Sequence, residues 1–453
     1  MSNLPLWNRL SHLSWRGLWL LAALTICVFA GQGQPAHARA DSPPVLESVK
    51  VENRWPSGLA FVVAASSASA DIVEISLLLQ VGNSVGDTVG RVPLAPGRTV
   101  TGEYVFVTRG SSYLPVGAEI NYAVEVTDSA GNSSTSDRRR YTYLDPRFTW
   151  RSISSSRVPI NAWYYGSDDR VPGTLLRAAE AAVDRMRAKA GLEIGAPFKL
   201  MLYRTREDFH AAGVFVSETW ERDRPVDGLA WSRYNLVHVV IGTDIAWAVD
   251  IAAHESTHLL VAATAGQQTP AWLDEGLASY AQPNYTEEFE EALEYAINAN
   301  ALTPIRGLNN LPGKPDENYV GYSQAYSIVS YLLDRGGPTQ MRALLTRLKE
   351  GLPMDQALTS VYSFDQDGLD ARWRESVGAQ SRSYESALPT PIPVPAGAMQ
   401  VVVGQPTPSP KIDPPQSKPS VQPPSGWALT AGSSVVLFLL IMGVAIHNRR
   451  LRA

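Results

Sequence analysis

The clearest alternation of apolar and polar positions lies in the first third of the chain. Every second residue is apolar over 120–126, the period of a strand buried on one face. The turn-forming run 128–132 follows, and 72–81 and 103–108 are further strand candidates. This pattern predicts an all-β sandwich over residues 43–146. It contains no pattern of catalytic groups, and we interpret it as a spacer or docking module.

The hydrophobic period then changes, and helices come to dominate. Residues 174–189 form an amphipathic pattern rich in Ala, Arg and Glu, which predicts a helix between extended runs at 159–165 and 198–203. A third extended run at 236–241 precedes the longer helical patterns, which cover 246–263, 270–281, 287–299, 319–335, 338–349 and 354–361. Gly336-Gly337-Pro338 is a helix stop and restart. Residues 147–386 are therefore predicted to form an α+β domain with a mostly helical C-terminal half.

The N-terminus has the composition of an export signal. Arg9 and Arg16 precede an apolar run over 18–30, and small-residue cleavage patterns follow within 36–40. We predict a signal peptide over 1–40. An uncleaved membrane anchor is the main alternative, and a lipid anchor through Cys27 is a weaker one because the preceding Ile26 is large.

A second apolar run lies near the C-terminus. No charged residue occurs over 428–446, a length that crosses a bilayer as a helix, and Arg449, Arg450 and Arg452 follow it. We predict one transmembrane helix over 427–447, with a short basic cytoplasmic tail over 448–453. The chain between the signal and the helix is then expected outside the cytoplasm, as a single-pass protein of the cell membrane.

Between the helical domain and this run lies a proline-rich segment. Residues 389–424 contain 12 prolines, a composition that cannot form a packed core. We therefore predict that residues 389–426 form a disordered, extended stalk.

Composition narrows the possible functions. The chain is 45% hydrophobic and 18% charged, which suits globular domains. Its formal net charge of −5 argues against a nucleic-acid partner, which normally requires a basic excess. Cys27 is the single cysteine, so the mature protein is expected to have no disulfide and to depend on packing or a metal.

The strongest chemical pattern is His254-Glu255-Ser256-Thr257-His258. Two histidines four apart on a helix share one face, so both rings reach one ion, and Glu255 reaches a water on that ion. A catalytic zinc needs a third protein ligand. Val261 and Thr264 stand where one metallopeptidase class has a glycine and a third histidine, so we expect a carboxylate from the following helix.

The following helix contains Trp272-Leu273-Asp274-Glu275-Gly276-Leu277-Ala278-Ser279-Tyr280. Glu275 is the expected third ligand, because the separation from His258 allows a turn and an antiparallel return. Asp274 is expected to support the site or to face solvent. One zinc per chain is predicted.

The paired motifs HESTH and WLDEGLASY resemble the gluzincin branch of zinc metallopeptidases, and especially the peptidase MA-like family of bacterial and archaeal proteins. The resemblance covers about residues 147–375. It implies that His254, His258 and Glu275 bind zinc, that Glu255 activates a water, and that the substrate is a peptide or protein. The stretch YAVEVTDSAGNSS in the β-region is similar to immunoglobulin-like and fibronectin type III domains.

The segment Tyr322-Ser323-Gln324-Ala325-Tyr326 resembles the helix that follows the site in related aminopeptidases, where a tyrosine donates to the oxyanion. The resemblance implies this role for Tyr322, with Tyr326 and Tyr319 as alternatives that share a helix face. No clear counterpart exists of the Gly-Ala-Met-Glu-Asn segment of those enzymes, since 228–230 lacks an acidic residue.

The run 236–241 is interpreted as an edge strand that pairs with extended substrate, and its His238 as a packed or surface residue. The predicted function is hydrolysis of peptide bonds. A cell-surface adhesion protein on an inactive peptidase fold and a zinc hydrolase of a non-peptide substrate remain alternatives. The choice between endopeptidase and exopeptidase, and the oligomeric state, stay open.

Overall fold

The computed structural model describes residues 42–212, 227–284, 286–311, 315–383 and 436–437. The predicted signal (1–40), stalk (389–426) and basic tail (448–453) lie outside the described residues. The predicted membrane helix lies outside them too, except for Val436 and Leu437, which form a two-residue strand instead. No helix within the described ranges is long and apolar enough to cross a bilayer.

The N-terminal part of the chain, here called the β-rich region, consists of two antiparallel sheets. One has the order β1-β2-β5; the other has the order β4-β3-β6-β7, with β8 also paired to β6. The strands are β1 (Val45–Arg54), β2 (Gly58–Ser66), β3 (Ile72–Val81), β4 (Thr88–Arg91), β5 (Thr99–Val107), β6 (Glu119–Asp128), β7 (Ser133–Thr135) and β8 (Arg139–Thr142).

The predicted alternation over 120–126 is present in β6. Ile120, Val124 and Val126 are fully buried, whereas Asn121 and Glu125 between them are half-buried. In the pairing of β3 with β6, Leu77 lies opposite Val124, and both side chains enter one core with residues of the other sheet. The resemblance to immunoglobulin-like domains stays a prediction.

A mixed sheet follows, with the order β14-β12-β13-β11-β10-β9. Its strands are β9 (Arg151–Ser154), β10 (Ile160–Tyr164), β11 (Phe198–Tyr203), β12 (Gly228–Trp231), β13 (Leu236–Val240) and β14 (Val436–Leu437). Strands β10, β11 and β13 are parallel, and β12 is antiparallel to β13. The interpretation of 236–241 as an edge strand is therefore wrong. All five residues of β13 are buried, as expected of an interior strand covered on both faces.

The remaining described chain is helical: α1 (Arg170–Ala190), α2 (Arg206–Ala211), α3 (Ile245–Ala265), α4 (Ala271–Ala281), α5 (Thr286–Asn298), α6 (Pro315–Lys349), α7 (Met354–Tyr362) and α8 (Gln366–Ser376). The Asp244 side chain caps α3 by accepting from the Trp247 backbone N–H. Helix α6 is interrupted at Gly337, whose φ of 60° and ψ of −169° are not helical. The predicted stop and restart at this position is confirmed.

The two faces of the mixed sheet contact different layers. Leu200, Leu202, Val237 and Val239 pack with the helices. Residues that alternate with them join the core of the β-rich region: Met201, Tyr203, Leu236 and Val240. The described residues from Pro43 onward belong to one compact unit. The β-rich region thus covers one face of the mixed sheet. The interpretation of this region as a spacer or docking module does not anticipate this packing.

His238 lies at the centre of this shared layer. Its side chain is fully buried, and its Nε2 is 2.8 Å from the Val116 carbonyl oxygen. Burial lowers the pKa of His238 to about 4, against the opposing effect of this hydrogen bond. The packed role predicted for His238 is confirmed, and the ring is neutral at neutral pH.

We predict that His238 makes the fold sensitive to mild acid. Above pH 6.5 the ring is neutral in both folded and unfolded chains, so its contribution is complete. As the pH falls from 6.5 to 4, only the unfolded chain takes up the proton, which lowers the free energy of unfolding by roughly 3 kcal/mol. His238→Gln keeps a donor for Val116 and does not titrate. Chemical denaturation across this pH range should show the two proteins diverging by that amount; parallel curves would contradict the assignment.

Candidate metal centre

Helix α3 brings His254, Glu255 and His258 into the interior. Most of the helix is apolar, and it packs against α1 and α4 on one side and against β12 and β13 on another. The three polar side chains are at most 3% exposed. A helix of this composition is stable because it is covered on nearly every side, so its polar residues must be satisfied within the protein.

Helix α4 brings Glu275 to the same point. Its Oε2 lies 3.2 Å from His254 Nε2 and 3.8 Å from His258 Nε2. One ligand atom from each of His254, His258 and Glu275 lies within 4.8 Å of the others. The structure therefore brings together the three residues that the sequence predicts as metal ligands.

The donor atoms fit a metal such as zinc. Within the described part of the chain, His258 Nε2 and Glu275 Oε2 are buried and have no hydrogen-bond partner. Two imidazole nitrogens and one carboxylate oxygen, facing a common point from adjacent helices, are the donor set of a catalytic zinc centre with one open position. Buried polar atoms left in this way are stabilised by an ion between them.

Asp274 fixes the orientation of one of these histidines. Its Oδ1 lies 2.9 Å from His258 Nδ1, on the side of the ring opposite Nε2. A hydrogen bond of this kind selects the tautomer whose Nε2 is free to bind a cation. Of the two roles expected for Asp274, the structure favours support of the site over exposure to solvent.

The electrostatic state of the centre also favours a cation. Burial raises the pKa of Glu255 and of Glu275 to about 8. Burial lowers the pKa of His254 well below its usual range, and neighbouring His258 adds to this effect. Burial lowers the pKa of His258 as well, but the carboxylates of Asp274, Glu275 and Glu255 outweigh burial and raise this pKa to about 10. Three buried carboxyl groups thus face too little positive charge, a deficit that a divalent ion would remove.

Tyr322 is the predicted tyrosine that reaches the centre. Its ring lies 6.4 Å from that of His254, and its hydroxyl donates a hydrogen bond to Glu275 that lowers the pKa of that carboxyl. Burial first, and then Glu275 and Glu255, hold the Tyr322 pKa well above its usual value, so the hydroxyl stays protonated. By contrast, the rings of Tyr326 and Tyr319 stack on Phe289, at 5.4 Å and 6.3 Å.

Strand β12 lies directly against Glu255, which the sequence interpretation missed. A Cβ added at Gly228 would lie 2.7 Å from Glu255 Cγ and 2.4 Å from Ile251 Cγ2. Only glycine permits this approach of strand and helix. A glycine at the start of a short strand is a sequence signal of close backbone approach, but its partner on α3 is not evident from sequence.

Comparisons with known proteins bear on the same part of the chain. The model of the Peptidase MA superfamily matches residues 178–379, which contain every predicted site residue. No curated protein matches the sequence at a significant level.

Two solved structures show a remote likeness. One is a mutant M1 zinc metallopeptidase from Deinococcus radiodurans bound to a Tyr-Ser-Ala substrate, which is 11% identical with a TM-score of 0.33. That match covers 73% of this chain and 92% of the other. The second is an aminopeptidase N family protein from Idiomarina loihiensis, 11% identical with a TM-score of 0.28, covering 70% and 71%. We draw nothing from likeness at this level.

The family match and the paired motifs agree on the segment and on the type of protein. Residues 178–379 of this chain are similar to the Peptidase MA superfamily.

Proposed function

We propose that the protein is a zinc-dependent peptidase that hydrolyses peptide bonds. The observation that carries this proposal is the buried convergence of His254, His258 and Glu275, with the Glu255 carboxylate on the same helix. The match of residues 178–379 to the Peptidase MA superfamily supports a metallopeptidase. A set of donors without a base would serve storage or structure equally well, whereas a buried carboxylate beside it supplies acid–base chemistry.

One zinc per chain would be held by His254, His258 and Glu275, with Asp274 orienting His258. When bound, zinc polarises a carbonyl and makes a water acidic enough to attack it at neutral pH. The contribution of the protein is a dry, preorganised site, because all three ligand side chains are at most 7% exposed.

Glu255 is proposed as the general base. Burial raises the pKa of its carboxyl group, which brings it closer to neutral pH than the pKa of an exposed glutamate. Such a group accepts a proton from the attacking water and then returns it to the departing amine. The close packing of Gly228 on Glu255 restricts the rotamers of this side chain, which keeps the carboxylate available for both transfers.

Tyr322 is proposed as the donor to the oxyanion that develops on the scissile carbonyl. Its hydroxyl is protonated and lies beside a ligand carboxylate, so it is placed where charge appears during the reaction. In the free protein the hydroxyl is held by Glu275, which keeps it near the centre until substrate arrives.

We also propose that the chain is anchored in a membrane and that its peptidase part lies outside the cytoplasm. The proposal rests on the sequence pattern: an arginine-flanked apolar run at one end, and an uncharged run followed by three arginines at the other.

The metal proposal predicts different outcomes for neighbouring residues on α3. His258→Ala should reduce the zinc content of the purified full chain from near one equivalent to near zero, because one of three ligands is lost. Glu255→Gln should keep the zinc and lower the turnover rate by about a hundredfold or more, because the base is lost. Metal analysis and peptide hydrolysis would be measured together.

His238→Gln is the control for these variants, since it changes another buried histidine outside the centre and should retain zinc. If the wild type holds no zinc after gentle purification and none after reloading, the proposal is wrong. Zinc binding without cleavage in a broad peptide library would instead favour a binding protein or a hydrolase of other substrates.

The tyrosine proposal predicts a change in turnover without a change in binding. Tyr322→Phe should lower kcat on the order of a hundredfold with little change in KM, because the hydroxyl acts on the developing oxyanion. Tyr326→Phe is the matched control and should be nearly silent, since its ring stacks on Phe289 and Tyr280. The reverse result, with Tyr326→Phe inactive and Tyr322→Phe normal, would refute the assignment.

The location proposal predicts that protease added to intact cells releases the peptidase part through cleavage within 389–426. A tag placed after Ala453 should stay protected until the membrane is opened, since the arginines hold that end in the cytoplasm. Immunoblots with antibodies to the tag and to the β-rich region would follow both ends. A tag accessible on intact cells would show the orientation to be reversed.

A further inference from the structure

Strand β12 is the backbone element closest to the proposed base. Gly228 packs on Glu255: a Cβ added there would lie 2.7 Å from Glu255 Cγ and 2.9 Å from its Oε1. Ala230 and Ser232 also line a small cavity together with His258 and Asp274. A displacement of β12 by a fraction of an ångström would therefore move or release the Glu255 side chain.

The start of β12 is held by groups of the helical part. Asp227 is buried, and its carboxylate accepts two hydrogen bonds from Arg206, at 2.5 Å and 2.6 Å. It also accepts one from the Trp247 indole N–H at 3.1 Å. Because Trp247 belongs to α3, its hydrogen bond connects the start of β12 to the helix that contains Glu255. The two bonds from Arg206 connect the same end to α2.

The other end of β12 is held by the β-rich region. The turn from Ser232 to Asn235 follows β12, and Asn235 has left-handed backbone angles. The Asn83 side-chain amide donates to the Ser232 carbonyl at 3.0 Å and exchanges hydrogen bonds with the Asn235 amide at 2.9 Å and 2.8 Å. The Asn83 backbone N–H donates to the Arg233 carbonyl at 2.8 Å.

Gly82 permits this contact. Its φ is +59°, and a Cβ at this position would lie 2.5 Å from the Arg233 carbonyl oxygen and 2.8 Å from the Tyr234 ring. A glycine is therefore required both for the backbone angle and for the approach to the turn. Gly82 and Asn83 are thus specifically adapted to the turn 232–235. A region that served only as a spacer would not require such a contact.

We propose that Gly82 and Asn83 are positioning residues for the catalytic centre, acting through the turn 232–235 and strand β12 on Glu255. The β-rich region then contributes to catalysis by positioning the Glu255 side chain. This inference rests on the proposed function for its effect on catalysis, but the positioning of β12 can be measured without it.

The test compares Asn83→Ala with Asn132→Ala in the purified, zinc-loaded full chain. Asn132 is a matched control: it lies in the turn after β6, and among the described residues its hydrogen bonds go to Asp128, beside the end of β3 opposite Asn83. We expect Asn83→Ala to lower kcat about tenfold or more, with zinc content and Tm close to those of the control. A residue that merely stabilises the fold would lower Tm and leave kcat per folded, zinc-loaded molecule unchanged.

Hydrogen–deuterium exchange supplies the second readout. Amide exchange over 228–235 should rise in Asn83→Ala and stay at the wild-type level in Asn132→Ala. If Asn83→Ala does not fold, Asn83→Ser decides: its hydroxyl keeps a short polar group that can donate and accept, and it should give a smaller change in the same direction.

Each negative result has its own meaning. Equal kcat and equal exchange in Asn83→Ala and the control would overturn the inference while leaving the proposed function intact. A wild type that cuts no peptide counts against the proposed function, and the exchange data then decide the positioning of β12 alone.

Discussion

The mixed sheet must be covered on both of its faces, and the rest of the structure follows from that requirement. Parallel strands such as β10, β11 and β13 carry apolar residues on both sides, so neither face tolerates water. Helices α1 and α3 cover one face, and the β-rich region covers the other. Helix α3, which contains His254, Glu255 and His258, is thereby held against a sheet whose opposite face packs on the β-rich region. Such a site has little freedom to relax, which favours preorganised chemistry.

The centre itself depends on a deficit of positive charge. Glu255, Asp274 and Glu275 are buried together, and only two histidines stand among them. Burying carboxylates without a partner costs several kcal/mol each. The protein tolerates this arrangement because the donor atoms face one another across a gap of ligand dimensions. Without an ion, this cost is met by proton uptake, which is why the pKa of Glu255 and of Glu275 rises to about 8.

The local elements of this architecture could be predicted from sequence, but their neighbours in space could not. Alternation identified β6, and the Gly336-Gly337-Pro338 run identified the break in α6, because both are properties of consecutive residues. The helical spacing of His254 and His258 identified the donors for the same reason. Sequence patterns do not show which strand lies beside another. The pattern of 236–241 therefore does not distinguish an edge strand from an interior one, and in the structure β12 separates this run from the outer edge.

The same limit applied to the site. Tyr319, Tyr322 and Tyr326 are three and four residues apart on one face of α6, and only their neighbours distinguish them: Tyr322 reaches Glu275, whereas the other two rings stack on Phe289. Asp274 had two possible roles until His258 was seen beside it. Contacts between the β-rich region and the turn after β12 join residues about 150 positions apart, and nothing local to Asn83 announces its partners.

All of the donors lie on one helical hairpin, α3 and α4, and this has a consequence for how the metal enters and leaves. The hairpin closes a short loop, so its contacts form early in folding and reopen at low entropic cost. Opening the centre would require α4 to separate from α3 and also from α6, where Gly276 packs closely against the Ala325 backbone. Such partial opening occurs far more often than global unfolding. A folded chain without an ion could then take one up through such an opening.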